Sequence, residues 1–266
     1  MFCFTNMNRA PVTFGDALNL WLWDKLLPQA GSVLRPDLIF LGIGTLLNNK
    51  LPPGPKLVFG AGAGYGPAPK PDATWDIRFV RGLDSAVALG LPASSAILDP
   101  GAAVGLILPR ETQFRSASLM PRFDSMTREL TQRCAEADVH LIDPRDPVEK
   151  ILPQIATSQL VLSECLHGAV VADALRIPWI PVVTADRNQS HAFKWRDWLS
   201  IFGMDYNPVS LERESLGYVV RHAAPRRTNS KLLKVQMLRF ITELQKLRTE
   251  INTRTGPFAI DKEAHA

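Results

Sequence analysis

Short apolar runs of four or five residues alternate along this chain with stretches whose apolar positions recur every three to four residues, which predicts strands and helices in turn. The sharpest instance is 160–175. It opens as a buried strand (Leu160-Val161-Leu162), turns through Ser163 and Glu164, and continues as an Ala/Leu/Val helix that meets no proline until Pro178. His167 and Gly168 therefore stand at the start of a helix, on the edge where parallel α/β sheets bind ligands. Free backbone N–H groups and the positive end of the helix dipole favour an anion there. A histidine in that position can donate to a phosphate or carboxylate, or pass a proton. The other reading is a helix start with a satisfied imidazole.

The same alternation runs through the whole sequence. A helix begins at Phe14-Gly15-Asp16, with Asp16 as N-cap or first-turn acid and Trp21 and Trp23 as core residues, and ends near Pro28. Strands over 37–41 and 56–59 each run into glycines. The second of these loops, FGAGAGYG (59–66), meets Pro67 and Pro69 where a dinucleotide fingerprint needs a helix, so it reads as a backbone-lined ligand loop that includes Gly62 and Gly64. A strand over 77–80 delivers Arg81 ahead of a helix over 83–89, well placed to hold a carboxylate or phosphate bidentately. A further strand ends at Asp99-Pro100.

The pattern resets over 104–110 and passes a linker at Glu111–Gln113. A second series then follows, with strands ending at Met120, Ile142, Leu162 and Val183 and helices over 124–137, 147–156 and from His167. A polar loop from Asp186 leads to an aromatic, charged helix through Trp198. The helix from Ser230 to about Arg248 sets Leu232, Val235, Met237, Leu238, Ile241, Leu244 and Leu247 largely on one face, expected to pack against protein. The tail after Thr253 is expected to be disordered. The whole predicts an α/β protein of two Rossmann-like halves facing a cleft. The expected units are an N-terminal α/β domain (1–110), a C-terminal α/β domain (111–210) and a helical extension that packs back (211–266).

Composition adds limits. At 266 residues, 46% hydrophobic and 21% charged, the chain is an ordinary globular protein. A net charge of +4 suits anionic small molecules or an acidic membrane surface, and no RNP, zinc-finger or basic-helix signature accompanies it, so nucleic acid is not an expected partner. Cys3, Cys134 and Cys165 stand far apart without a CxxC pair, which argues for a reducing compartment. Cys165 lies two residues from His167, a separation that does not face two side chains together on a helix. His140, His191, His222 and His265 have no ligand spacing, so no metal is expected. With no signal peptide in MFCFTNMNRAP and no apolar stretch of about 18 residues, the expected location is cytoplasmic.

Eight stretches in order resemble the polysaccharide pyruvyltransferase family, bacterial exopolysaccharide ketal-pyruvate transferases of the succinoglycan type. They are FGDALN (14–19), FGAGAGYG (59–66), FVRG (79–82), ILDPG (97–101), LMPRFDS (119–125), IDPRDPVEKIL (142–152), LSECLHGAVVADALRIPWIPV (162–182) and HAFKWRDWL (191–199). The resemblance implies a GT-B-like two-domain fold and transfer of the pyruvyl group of phosphoenolpyruvate onto two hydroxyls of a hexose as a cyclic ketal, with no cofactor. It implies a saccharide acceptor, often lipid-linked, and peripheral contact with the inner membrane.

His167, Arg81 and Asp16 are then the expected catalytic residues, with Glu164 an alternative to Asp16. Asn19, Gly62, Gly64, Arg122, Ser163, Glu164, Gly168, Lys194 and Trp195 are expected around the substrate. Trp195 reads equally well as helix packing. Two positions depart from the family: Cys165 stands where RLHG carries arginine, and Arg122 where relatives read MPH, so Arg122 and Lys194 are candidates for the missing phosphate contact. A GT-B nucleotide-sugar glycosyltransferase and a non-catalytic glycan-binding relative remain the alternatives.

Overall fold

The computed structural model describes residues 12–109, 111–184 and 189–255. Cys3, the first part of the polar loop from Asp186, and the expected disordered tail beyond Thr255 lie outside these residues.

The first segment folds as α1 (Phe14–Leu26), α2 (Ala30–Val33), β1 (Ile39–Leu41), β2 (Lys56–Phe59), β3 (Trp75–Phe79), α3 (Leu83–Ala88) and α4 (Val104–Ile107). Its strands form a parallel sheet in the order β1-β2-β3. The second segment runs β4 (Ser118–Met120), α5 (Arg128–Glu136), β5 (His140–Leu141), α6 (Val148–Ala156), β6 (Val161–Ser163), α7 (Leu166–Ala174), β7 (Trp179–Val183), α8 (Gln189–Ser200), β8 (Val209–Ser210), α9 (Leu216–His222) and α10 (Ser230–Thr253). Its sheet is also parallel throughout, in the order β5-β4-β6-β7-β8. Short strands buried along their length, separated by helices, are what a doubly covered parallel sheet requires. β1, β2, β4 and β6 are fully buried.

Local chemistry sets the helix ends. Thr13 caps α1, Thr127 caps α5, Ser215 caps α9 and Asn229 caps α10, each accepting a bond from a first-turn N–H. The strand expected to end at Asp99 does not form as a ladder. Ala96 makes an isolated bridge to Val80, and Asp99 instead caps a 3₁₀ turn, Pro100–Ala103, by accepting from the Gly101 N–H.

One buried apolar cluster joins residues of both segments, among them Phe14, Trp23, Met120, Ile151, Val170 and Trp179. α10 packs back on the first sheet, as expected. Phe240 lies 5.9 Å from Phe79 and 6.1 Å from Phe59, and Arg78 donates to Glu250. The expectation that its whole apolar stripe packs against protein is corrected, because Leu232, Val235 and Leu238 are exposed. The reason is register: the inward face carries Leu233, Phe240, Leu244, Leu247 and Ile251.

Candidate active site

Both sheets point the carboxyl ends of their strands at one cavity of about 430 Å³. The loop after β1 gives Gly44, Thr45 and Leu46, and the loop after β2 gives Tyr65. From the second segment come Arg122–Asp124 after β4, Pro144 after β5 and Cys165–His167 after β6. The start of α1 (Thr13–Asp16) and Lys194 of α8 complete the wall. This is the crevice beyond the strand ends where open α/β sheets take ligands.

His167 is the second residue of α7 and lines the cavity. Its Nε2 lies 3.5 Å from Oδ2 of Asp99, a carboxylate with no exposure at all, while the imidazole is 13% exposed. Burial by itself would raise the Asp99 carboxyl. The nearby His167 imidazole and the charge of Arg81, with a hydrogen bond from the Gly101 N–H, outweigh burial and hold it below the ordinary range. The opposite edge of the ring, Nδ1, lies against Gly15. A Cβ on Gly15 would sit 2.2 Å from Nδ1, so only glycine at the start of α1 lets the imidazole occupy its place. Asp99 escaped the sequence reading because Asp-Pro-Gly reads locally as a turn; its place within the ILDPG stretch (97–101) was the signal available.

Asp16 is on the wall, where its carboxylate accepts from the Thr13 hydroxyl at 2.7 Å. Arg122 is there too, and its Nε and Nη2 donate to Asp124 at 2.9 and 2.8 Å. Lys194 enters from the far side. It is the neighbour of Trp195, whose indole packs on Trp179, Trp198 and, stacked at 5.2 Å, Tyr206. Trp195 is fully buried, so the expectation of a sugar-stacking face there is corrected: its ring anchors α8.

Arg81 also needs correction. It does not reach the cavity. Its guanidinium is fully buried and donates from Nε to Asp197 at 2.8 Å, from Nη1 to Thr45 Oγ1 at 3.0 Å and from Nη2 to the Ala63 carbonyl at 3.3 Å. Asp197 accepts in addition from the Ser85 N–H and hydroxyl. The arginine thus ties α8, and with it Lys194, to the first sheet, one residue behind the cavity wall at Thr45. Gly62 is the floor beneath that guanidinium, since a Cβ would lie 2.3 Å from it, and Gly64 accommodates the Phe193 ring. Neither glycine lines the cavity: of the loop 59–66 only Tyr65 does, while Gly62 and Gly64 make room for side chains of the protein itself.

The remaining expected contacts are also structural. Asn19 Oδ1 accepts from the Trp23 indole and the Ile43 N–H, tying α1 to the loop after β1. Glu164, fully buried, accepts from the Arg122 N–H and from the Thr184 N–H and hydroxyl, joining the ends of β4 and β7. It therefore does not serve as the alternative acid or base. Ser163 donates to the Cys165 carbonyl at 2.6 Å, and Gly168 leaves room for that hydroxyl, where a Cβ would stand 2.5 Å away. These residues shape the strand-to-helix corner that presents His167. Among the described residues no group of three or more His, Cys, Asp or Glu is arranged to hold a metal ion, and no helix is long and apolar enough to cross a membrane.

The chain is similar to the succinoglycan biosynthesis protein ExoV of Rhizobium meliloti (strain 1021), with 39% identity over 203 residues, which cover 73% of this chain. The match spans 63% of that protein's length, a little under two thirds. No protein-family model matches the chain.

Proposed function

We propose that this chain acts in polysaccharide biosynthesis as a pyruvyltransferase, moving the pyruvyl group of phosphoenolpyruvate onto a hexose of an exopolysaccharide or its lipid-linked precursor. The reading treats the two sheets as a GT-B-like pair around the cavity. The observation that carries it is the Asp99–His167 pair opening on a cavity that also holds Arg122, Lys194 and Asp16. Similarity to a succinoglycan biosynthesis protein supports the saccharide side of the reading.

The chemistry follows from what the donor needs. Phosphoenolpyruvate carries roughly three negative charges near neutral pH, given a phosphate second pKa of about 6. Among the described residues, Lys194 and Arg122, whose Nε and Nη2 are the atoms bonded to Asp124, are the cations on the cavity wall, alongside the N–H groups at the start of α7. The methylene carbon of the enol phosphate takes a proton, which leaves an oxocarbenium-like centre at C2. A sugar hydroxyl adds to that centre and loses its proton, the C2–O bond to phosphate breaks, and a second hydroxyl closes the ketal, its proton leaving with the phosphate. Per turnover the atoms balance as donor plus diol giving ketal plus inorganic phosphate.

His167, with Asp99 behind Nε2 and its ring on the cavity wall, is assigned the proton transfer to carbon. Asp16 is assigned acceptance of the hydroxyl proton. Arg81 takes no part in this scheme except through α8.

Phosphate release on mixing the protein with phosphoenolpyruvate and a succinoglycan-type oligosaccharide tests the proposal. Mass spectrometry should find an acceptor carrying one ketal-linked pyruvyl group. Transfer from a nucleotide sugar with release of a nucleoside diphosphate would replace this reading by the glycosyltransferase one. Saccharide binding without turnover would replace it by a non-catalytic role.

A further inference from the structure

α10 leaves part of its apolar surface uncovered, well away from the cavity. Leu232, Val235 and Leu238 are 40, 52 and 55% exposed, and Leu106 of α4 is 49% exposed. Leu106 and Leu238 face one groove of about 320 Å³, with Met237 and Ile241 along its side and Arg176 and Lys234 at its edge.

Among the described residues no acid lines this groove. From Ala223 to Thr242 the sequence carries Arg226, Arg227, Lys231, Lys234 and Arg239 and not one Asp or Glu. Two of the five have internal work, with Arg226 over the Trp179 ring and Arg239 donating to the Ser94 and Ala96 carbonyls. Arg227, Lys231 and Lys234 are exposed. The first acid on the helix, Glu243, is paired with Lys246.

Three classes of occupant compete for such a face. Stable protein interfaces concentrate aromatic residues and arginine at their centre and are depleted in lysine. This face is aliphatic, with lysines set among the leucines. A second copy seated by two-fold symmetry brings the same cations against one another. An anionic lipid surface suits both features at once: aliphatic side chains enter the acyl boundary while lysine stems bend back to headgroup phosphates. We infer that the α10–α4 face docks on an anionic lipid bilayer, with Leu106, Val235 and Leu238 inserted and Arg227, Lys231 and Lys234 on the headgroups. The groove and the cavity lie at opposite ends of α7, whose nine residues separate them by roughly 12 Å along its axis. Docking therefore leaves the cavity open to solvent.

The inference rests on the surface alone and is read without donor or acceptor, so its failure is separable from that of the proposed reaction. The test is co-sedimentation of the full chain with vesicles of phosphatidylcholine alone and of phosphatidylcholine mixed with phosphatidylglycerol. Binding is expected to the mixed vesicles only and to weaken with added salt. K231E/K234E should reduce partitioning at least about tenfold, since each cation near such a surface contributes roughly a fivefold factor. L238D should reduce it comparably through lost insertion. Both substitutions are at exposed positions, so thermal melts should be unchanged. No binding to the mixed vesicles, or binding that neither variant alters, overturns the inference. So does a concentration-dependent dimer in light scattering that L238D abolishes, which assigns the face to a second copy.

Discussion

Replacing Asp99 by asparagine removes a charge and almost nothing else. The amide oxygen keeps the place of the Oδ1 atom that accepts from the Gly101 N–H, so the cap of the 3₁₀ turn survives. What is lost is the carboxylate 3.5 Å from Nε2 of His167. A full imidazolium–carboxylate attraction at that separation comes to about 5 kcal/mol for an effective dielectric constant of about 20. In the transition state the proton is shared with the substrate, so roughly half of that, 2–3 kcal/mol, is a fair share. The expected result is a kcat lower by about 30- to 150-fold, with KM for phosphoenolpyruvate changed far less.

The assay is steady-state phosphate release at saturating acceptor, with a thermal melt to show that the variant folds. H167A should cost more, about 10²–10⁴-fold, the usual range for a lost general acid. The double variant D99N/H167A should be no worse than H167A alone, because Asp99 acts through the ring. A D99N enzyme within threefold of the parent, or a double variant whose loss is the product of the two single losses, refutes the reasoning.

Three further substitutions or probes test neighbouring claims. G15A puts a methyl group 2.2 Å from Nδ1 of His167 and must displace the ring; we expect at least about a hundredfold loss of kcat, and retention of activity would show that the ring occupies another position during turnover. R81A leaves Asp197 buried without its cation, a change worth about 3–5 kcal/mol in stability, so denaturant midpoints should fall sharply; a stable variant with only a raised donor KM would return Arg81 to the substrate. Burial pushes the Cys134 thiol up to about 11, so peptide mapping after a maleimide pulse at neutral pH should find Cys165 labelled, Cys134 unlabelled until the protein unfolds, and Cys165 protected by phosphoenolpyruvate.

Much of the fold was legible because it rests on local periodicity. β2 and β7 occupy the expected residues, and the strand–turn–helix at Val161–Ala174 needed only its apolar run, its small polar turn and its uninterrupted helix. β8, two residues long, has too little pattern to show. Site assignment named four residues that line the cavity, His167, Asp16 and Arg122 near element ends and Lys194 within α8. It failed where a side chain's fate depends on a distant partner. Arg81 looks like an anion clamp until Asp197, 116 residues later, is placed beside it. Glu164 and Asn19 looked available until backbone N–H groups from other loops claimed them. The glycine loop was assigned to a ligand because spacing alone does not say whether the space a glycine leaves is filled by substrate or by the protein's own arginine and phenylalanine.

The return of α10 onto the first sheet bears on how the chain is made. Arg78 and Glu250 are bonded across 172 residues, and Phe240 covers the same aromatic wall as Trp23, Phe59 and Phe79. A ribosome adding about 5–20 residues per second needs roughly 10–35 s to travel that distance. For that interval the emerging amino-terminal sheet carries a bare aromatic face, a natural substrate for nascent-chain chaperones until the helix that belongs there has been translated.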